Sequence, residues 1–101
     1  MKSPGYRISV AAINDLEQIW EYTLHKWSLE QADRYYGLII NEIEFLSTNF
    51  FAGKPVGHIK QGYRSAVVKS HLIFYRIADD QKLEVIRILH QSMDIDEKFI
   101  K

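Results

Sequence analysis

Apolar residues recur at helical intervals through the first half of the chain and alternate along the second half. Ile13, Leu16, Trp20, Leu24 and Trp27 fall three or four residues apart, which puts them on one face of a helix. Ser9 is placed to cap its start, and Lys26 lies near its end, where the helix dipole favours a base. Ser28 followed by Gln31 is a capping box, so a second helix begins almost at once. Its apolar positions are Ala32, Tyr35, Tyr36, Ile39, Ile43, Leu46 and Phe50. With so short a joint the two helices are expected to lie antiparallel. Gly53, Pro55 and Gly57 stop the second helix.

Strand patterns flank this hairpin. Tyr6–Val10 alternates and is rich in β-formers, and residues 63–69, 71–78 and 82–90 read as three further strands. The chain reverses at Ser70 and again at Asp79-Asp80-Gln81, where Asp bonds its own backbone. A helical turn is expected over Met93–Ile100. The order β-α-α-β-β-β predicts an α+β fold in which a helical hairpin packs on a small, mainly antiparallel sheet. The first strand is expected at the sheet edge, since alone it would be unpaired.

Size and composition narrow the class. The chain has 101 residues, 47% of them apolar, which suits one domain over 1–101 with its own core. There is no cysteine, so disulfides and thiolate chemistry are excluded. No apolar run approaches the ~20 residues that cross a bilayer, and the first residues lack the apolar stretch of a signal peptide. The expected location is the cytoplasm.

The formal charge of zero hides a segregation. Residues 1–53 carry seven acids against four bases, and residues 79–101 carry six against four. Between them Lys54, Lys60, Arg64, Lys69 and Arg76 form a block without an acid. Such a block attracts phosphate or an acidic partner, or is simply a solvated hairpin edge. In the last strand Leu83, Val85, Arg87 and Leu89 share one face by alternation, so Arg87 interrupts an apolar row. It is then either functional or paired with a carboxylate such as Asp94.

Other chemistries find little support. His25, His58, His71 and His90 show no metal-ligand spacing, so no metal or other cofactor is expected. The segment Gly53–His58 lacks the ending of a phosphate loop. No helix carries basic periodicity, which argues against sequence-specific DNA reading. The spacing of Trp20, Trp27, Tyr35 and Tyr36 suits packing in a core or an interface better than a ligand box.

Several blocks together resemble the ParE toxins of the wider RelE/ParE superfamily of toxin–antitoxin modules. They are Ser9-Val10-Ala11-Ala12 with Asp15-Leu16, Gln31-Ala32 with Tyr35-Tyr36, Gly62-Tyr63-Arg64, Ser70–Arg76, and Arg87-Ile88-Leu89-His90-Gln91-Ser92-Met93-Asp94. The similarity runs from about Tyr6 to Ile100, and the family's fold is the one predicted above. The resemblance implies a toxin that inhibits DNA gyrase by binding, catalyses no reaction of its own, and is neutralised by a ParD-type antitoxin folding into a groove between helices and sheet.

Expected partner contacts are Arg64, Lys69, Arg76, Arg87 and His90, with Met93, Phe99 and Ile100 on an exposed C-terminal segment. Trp20, Trp27, Tyr35 and Tyr36 are candidates for the antitoxin groove. The superfamily also contains RelE-like ribosome-dependent mRNA interferases. For that chemistry Arg64 and Arg87 would hold phosphate and His90 would act as acid, with Lys54 and Lys60 adding positive field. No carboxylate base stands in the basic block, and His90 is followed by Gln91-Ser92-Met93-Asp94 rather than a terminal Tyr. A third reading is a non-toxic relative that retains only antitoxin binding.

Overall fold

The computed structural model describes residues 5–99. Strand β1 (Tyr6–Ile8) leads into helices α1 (Val10–Lys26) and α2 (Leu29–Thr48), joined only by Trp27 and Ser28. A 3-10 turn (Phe50–Ala52) and the two-residue strand β2 (Lys54–Pro55) follow. Then come β3 (Arg64–Val68), β4 (His71–Ile77), β5 (Leu83–His90) and a short helix α3 (Ile95–Phe99). The five strands form one mixed sheet in the order β1-β5-β4-β3-β2. Strand β1 runs parallel to β5 at one edge, as a strand needing a partner must, and the other pairs are antiparallel. The strand β2 was not expected; it is too short to leave a period-2 signature.

Both predicted caps form. Ser9 Oγ accepts the Ala12 amide at 3.1 Å, and Ser28 Oγ accepts the Gln31 amide at 3.1 Å. Ser9 does more than cap, because its hydroxyl also donates to the Ile86 carbonyl at 2.8 Å. One side chain thus fixes the start of α1 to the last strand.

The alternation predicted for that strand fails at one point. Phe74 lies opposite Arg87 and Tyr75 opposite Val85, so Ile86 is an extra residue in a bulge. The bulge shifts the phase of every position after it. Leu83, Val85 and Ile88 join the core beneath the helices, with Ala12, Leu16, Ile39, Ile43, Leu46, Ile73 and Tyr75. Leu89 instead joins Phe74 and Val56 in a second cluster. Arg87 therefore does not interrupt an apolar row; it sits where the row breaks.

The C-terminal segment is largely exposed, as expected, with Met93 43% exposed, but two of its apolar residues pack on the second cluster. Ile95 and Phe99 of α3 pack against it, with the Phe99 ring edge-on to Phe74 at 5.1 Å and to Tyr63 at 6.0 Å. Phe99 is thus drawn into packing, whereas Ile100 lies outside the described residues. Trp27 departs from expectation in the other direction. It is the C-cap residue of α1 and is 70% exposed.

Candidate partner-binding groove

Helix α1 overhangs the end of the sheet where β3 turns into β4 and β5 ends. Between them lies an open groove of about 840 Å³. Ile19, Tyr22 and Trp27 line it from α1 and the interhelical joint, Gln31 and Tyr35 from α2, and Lys69, His71, Ile88, His90 and Met93 from the sheet side. Tyr22 is 64% exposed and Met93 43%. Large side chains left this open at the mouth of a concavity are usual where a second chain docks.

Asp15 also lines the groove, and Arg87 of β5 holds it in place. Arg87 donates from Nε to Asp15 Oδ2 at 2.8 Å and from Nη2 to Oδ1 at 3.0 Å. Asp15 Oδ2 also accepts the Ile88 amide at 3.0 Å. The partner of Arg87 is therefore Asp15, not Asp94, and this hydrogen bond to Asp15 raises the pKa of the guanidinium. A turn of α1 and the bulged strand are tied by groups that cancel each other's charge, which leaves Lys69 as the cation of the groove.

The β3–β4 reversal that carries Lys69 has two residues, Lys69 and Ser70, with Val68 opposite His71. Lys69 has φ 53, the left-handed region that costs a residue with a Cβ roughly 1 kcal/mol. A glycine would close this turn more easily. Lysine stands there instead, at the edge of the groove.

Two histidines face each other across β4 and β5. His71 lies opposite His90, with ring centroids 5.1 Å apart and planes at 86°. The Tyr35 hydroxyl lies 2.7 Å from His71 Nδ1 and 3.1 Å from the Val68 carbonyl. Since the carbonyl can only accept, Tyr35 donates to it and receives the His71 Nδ1 proton, the assignment that satisfies both contacts. Burial, and then the neighbouring His90, push the His71 pKa down to about 4, against a smaller pull from Asp15.

The remaining expected residues are dispersed. Arg76 pairs with Glu84 at 2.8 Å. Arg64 donates to the Gly53 and Phe51 carbonyls at 2.5 and 3.2 Å and lies over the Phe50 and Phe51 rings, so it secures the 3-10 turn that follows α2. Of the cations expected as partner contacts, Arg64, Arg76 and Arg87 are each held within the molecule. Trp20 and Tyr36 belong to a separate hollow with Glu17, Glu21 and Asp33, where Trp20 Nε1 donates to Asp33 at 3.0 Å. The aromatic candidates thus divide, Trp27 and Tyr35 in the groove and Trp20 and Tyr36 outside it.

The nuclease set does not converge. Arg64 is opposite Tyr75 and His90 opposite His71, four residues and about 13 Å apart along β4. Arg87 is engaged by Asp15. Among the described residues no three His, Cys, Asp or Glu side chains form a group that could hold a metal. No helix among them is long and apolar enough to cross a membrane.

Known proteins are similar to this chain in sequence and in architecture. The family model described as ParE toxin of type II toxin-antitoxin system, parDE, matches residues 6–95. A protein named Toxin ParE1 from Mycobacterium tuberculosis is 36% identical over 94 residues, covering 93% of this chain and 96% of its own. Toxin ParE1 of Caulobacter vibrioides is 38% identical over 89 residues, covering 88% and 91%. In structure, a chain of the chromosomal ParDE system from P. aeruginosa aligns with a TM-score of 0.74 at 19% identity, over 84% of this chain and 92% of its own. A chain of the RelBE2 toxin–antitoxin complex from Mycobacterium tuberculosis aligns at 0.57 and 24% identity, over 84% and 94%. At such identities these two show the shared fold alone. The sequence match over residues 6–95, by contrast, decides membership: this chain belongs to the ParE toxin family of type II toxin–antitoxin systems.

Proposed function

We propose that this protein is a growth-arresting toxin that inhibits DNA gyrase by binding it, and that a ParD-type antitoxin neutralises it. The family match across most of the chain carries this reading. It is supported by the relatives named Toxin ParE1. Such action takes place in the cytoplasm. The dispersal of Arg64, Arg87 and His90 speaks for inhibition by binding over an mRNA interferase, since phosphate-holding cations and an acid must meet at one reacting bond.

The groove is the docking surface we assign to the antitoxin. An amphipathic segment would lay its apolar side chains against Ile19, Tyr22, Trp27 and Met93 and set an acidic residue near Lys69. Gyrase would meet a different part of the toxin or compete for the same one. Induced expression tests the reading in cells. Growth arrest with DNA synthesis halted and messenger RNA intact is expected. Arrest with cleaved messenger RNA would replace it by the interferase reading, and no arrest by a folded product would indicate a relative that only binds antitoxin.

A further inference from the structure

The histidine pair does something the docking reading does not require. The Ser92 amide donates to His90 Nδ1 at 3.0 Å, and the Ser92 hydroxyl lies 2.7 Å from the same nitrogen. An amide can only donate, so His90 Nδ1 is an acceptor and the neutral ring carries its proton on Nε2, an assignment made from the hydrogen bonds. Beyond Ser92 the chain continues to Met93, whose amide donates to the His90 carbonyl at 3.0 Å, and then to α3. The Nδ1 lone pair thus holds the segment that forms the Met93 wall of the groove.

We propose that His90 is a proton-operated latch on this wall: a proton taken up at Nδ1 occupies the lone pair, expels the Ser92 amide, and loosens the turn that leads into Met93. The step balances simply. One proton from solvent adds to Nδ1, one hydrogen bond from the Ser92 amide is lost, and the ring gains a positive charge. The Ser92 hydroxyl can turn to accept from the new Nδ1–H, but the amide cannot.

Neighbouring groups direct the proton to His90. His71 Nδ1 is already committed to Tyr35, and burial keeps that ring neutral through the mildly acidic range. Lys69, on the β3–β4 turn, also lines this groove and sets a positive charge against any on the pair. From α1 the facing groups are Tyr22 and Asp15, and Asp15 is already neutralised by Arg87 of β5. From α2 the facing group is Tyr35. Histidine is the side chain that ordinarily changes charge between pH 5 and 8. The latch belongs to the free protein; its effect on partner capture rests on the groove being the docking surface.

Nuclear magnetic resonance on the full chain tests it without any partner, so its failure is separate from failure of the docking reading. The His90 and His71 ring signals and the Ser92 and Met93 amides are followed from pH 8 to pH 5. The Ser92 amide is expected to move with the same midpoint as the His90 ring. Its exchange, corrected for the intrinsic pH dependence, is expected to quicken about tenfold. In His90→Asn the Oδ1 atom accepts the same i+2 amide, as in an Asx turn, and carries no titrating proton. There the Ser92 amide should stay protected across the range. A Ser92 amide unmoved while the His90 ring titrates, or the same transition in His90→Asn, overturns the proposal.

Discussion

Arg87 and Asp15 meet in a two-point ion pair, Nε to Oδ2 at 2.8 Å and Nη2 to Oδ1 at 3.0 Å, that joins the bulged last strand to the second turn of α1. Asp15 is only 8% exposed, and its Oδ2 also holds the Ile88 amide. Removing the carboxylate strands a half-buried cation and an amide together. Asp15→Ala is therefore expected to cost about 3 kcal/mol, read as a lower urea midpoint. Arg87→Met, which removes the cation without stranding a charge, should cost less. Equal and negligible losses for both would show that the pair does not hold the fold.

The two helix caps differ in what they hold, and their variants should differ too. Ser28→Ala removes one accepted amide and is expected to cost about 1 kcal/mol. Ser9→Ala also releases the Ile86 carbonyl at the bulge and should cost about 2 kcal/mol. Thermal or urea unfolding of the two variants compares them directly, and the order of the losses is the decisive result.

His71 makes stability depend on pH. Its pKa is near 4 in the folded chain against 6.5 for the ordinary group, so the unfolded state binds the proton more readily. The contribution is complete above about pH 6.5 and is lost as pH falls towards 4. With solvent exposure allowed for, the loss from this group is on the order of 2 kcal/mol. Unfolding midpoints at pH 7.5 and pH 4.5 should diverge in the native chain and diverge less in His71→Gln. A variant with the same pH dependence would assign it elsewhere.

Lys69 separates stability from recognition. Lys69→Gly relieves the left-handed backbone and is expected to raise stability by about 0.5–1 kcal/mol, while weakening capture of an acidic antitoxin segment. Trp27→Ala, at a residue 70% exposed, should leave stability within about 0.5 kcal/mol and also weaken capture. Co-purification with the antitoxin reads both effects. Undiminished capture by the two variants would move the docking surface away from this groove.

Helical periodicity, Ser9 and Ser28 made the helical hairpin legible in the sequence, and β-branched runs made the meander so. The Ile86 bulge was not legible, because a one-residue insertion leaves no mark in composition yet inverts the faces that follow. That slip hid the contact between Arg87 and Asp15. The same bulge hid the His71 and His90 pairing: the register set by the turn at Asp79-Asp80-Gln81 would put His71 opposite Leu89, and the extra residue Ile86 brings His90 there instead. Tyr22 was missed because it lies off the core face of α1, which is also why it remains open to a partner. The arginines are expected as partner contacts because sequence displays charge but not the carbonyl or carboxylate that will hold it.

The most direct measurement is a plasmid supercoiling and cleavage assay with purified gyrase and the purified, folded protein. Loss of supercoiling with accumulation of cleaved DNA, reversed by adding antitoxin, is the expected result. Gyrase activity unchanged at excess toxin would contradict the gyrase reading and turn attention to ribosome-dependent cleavage of messenger RNA.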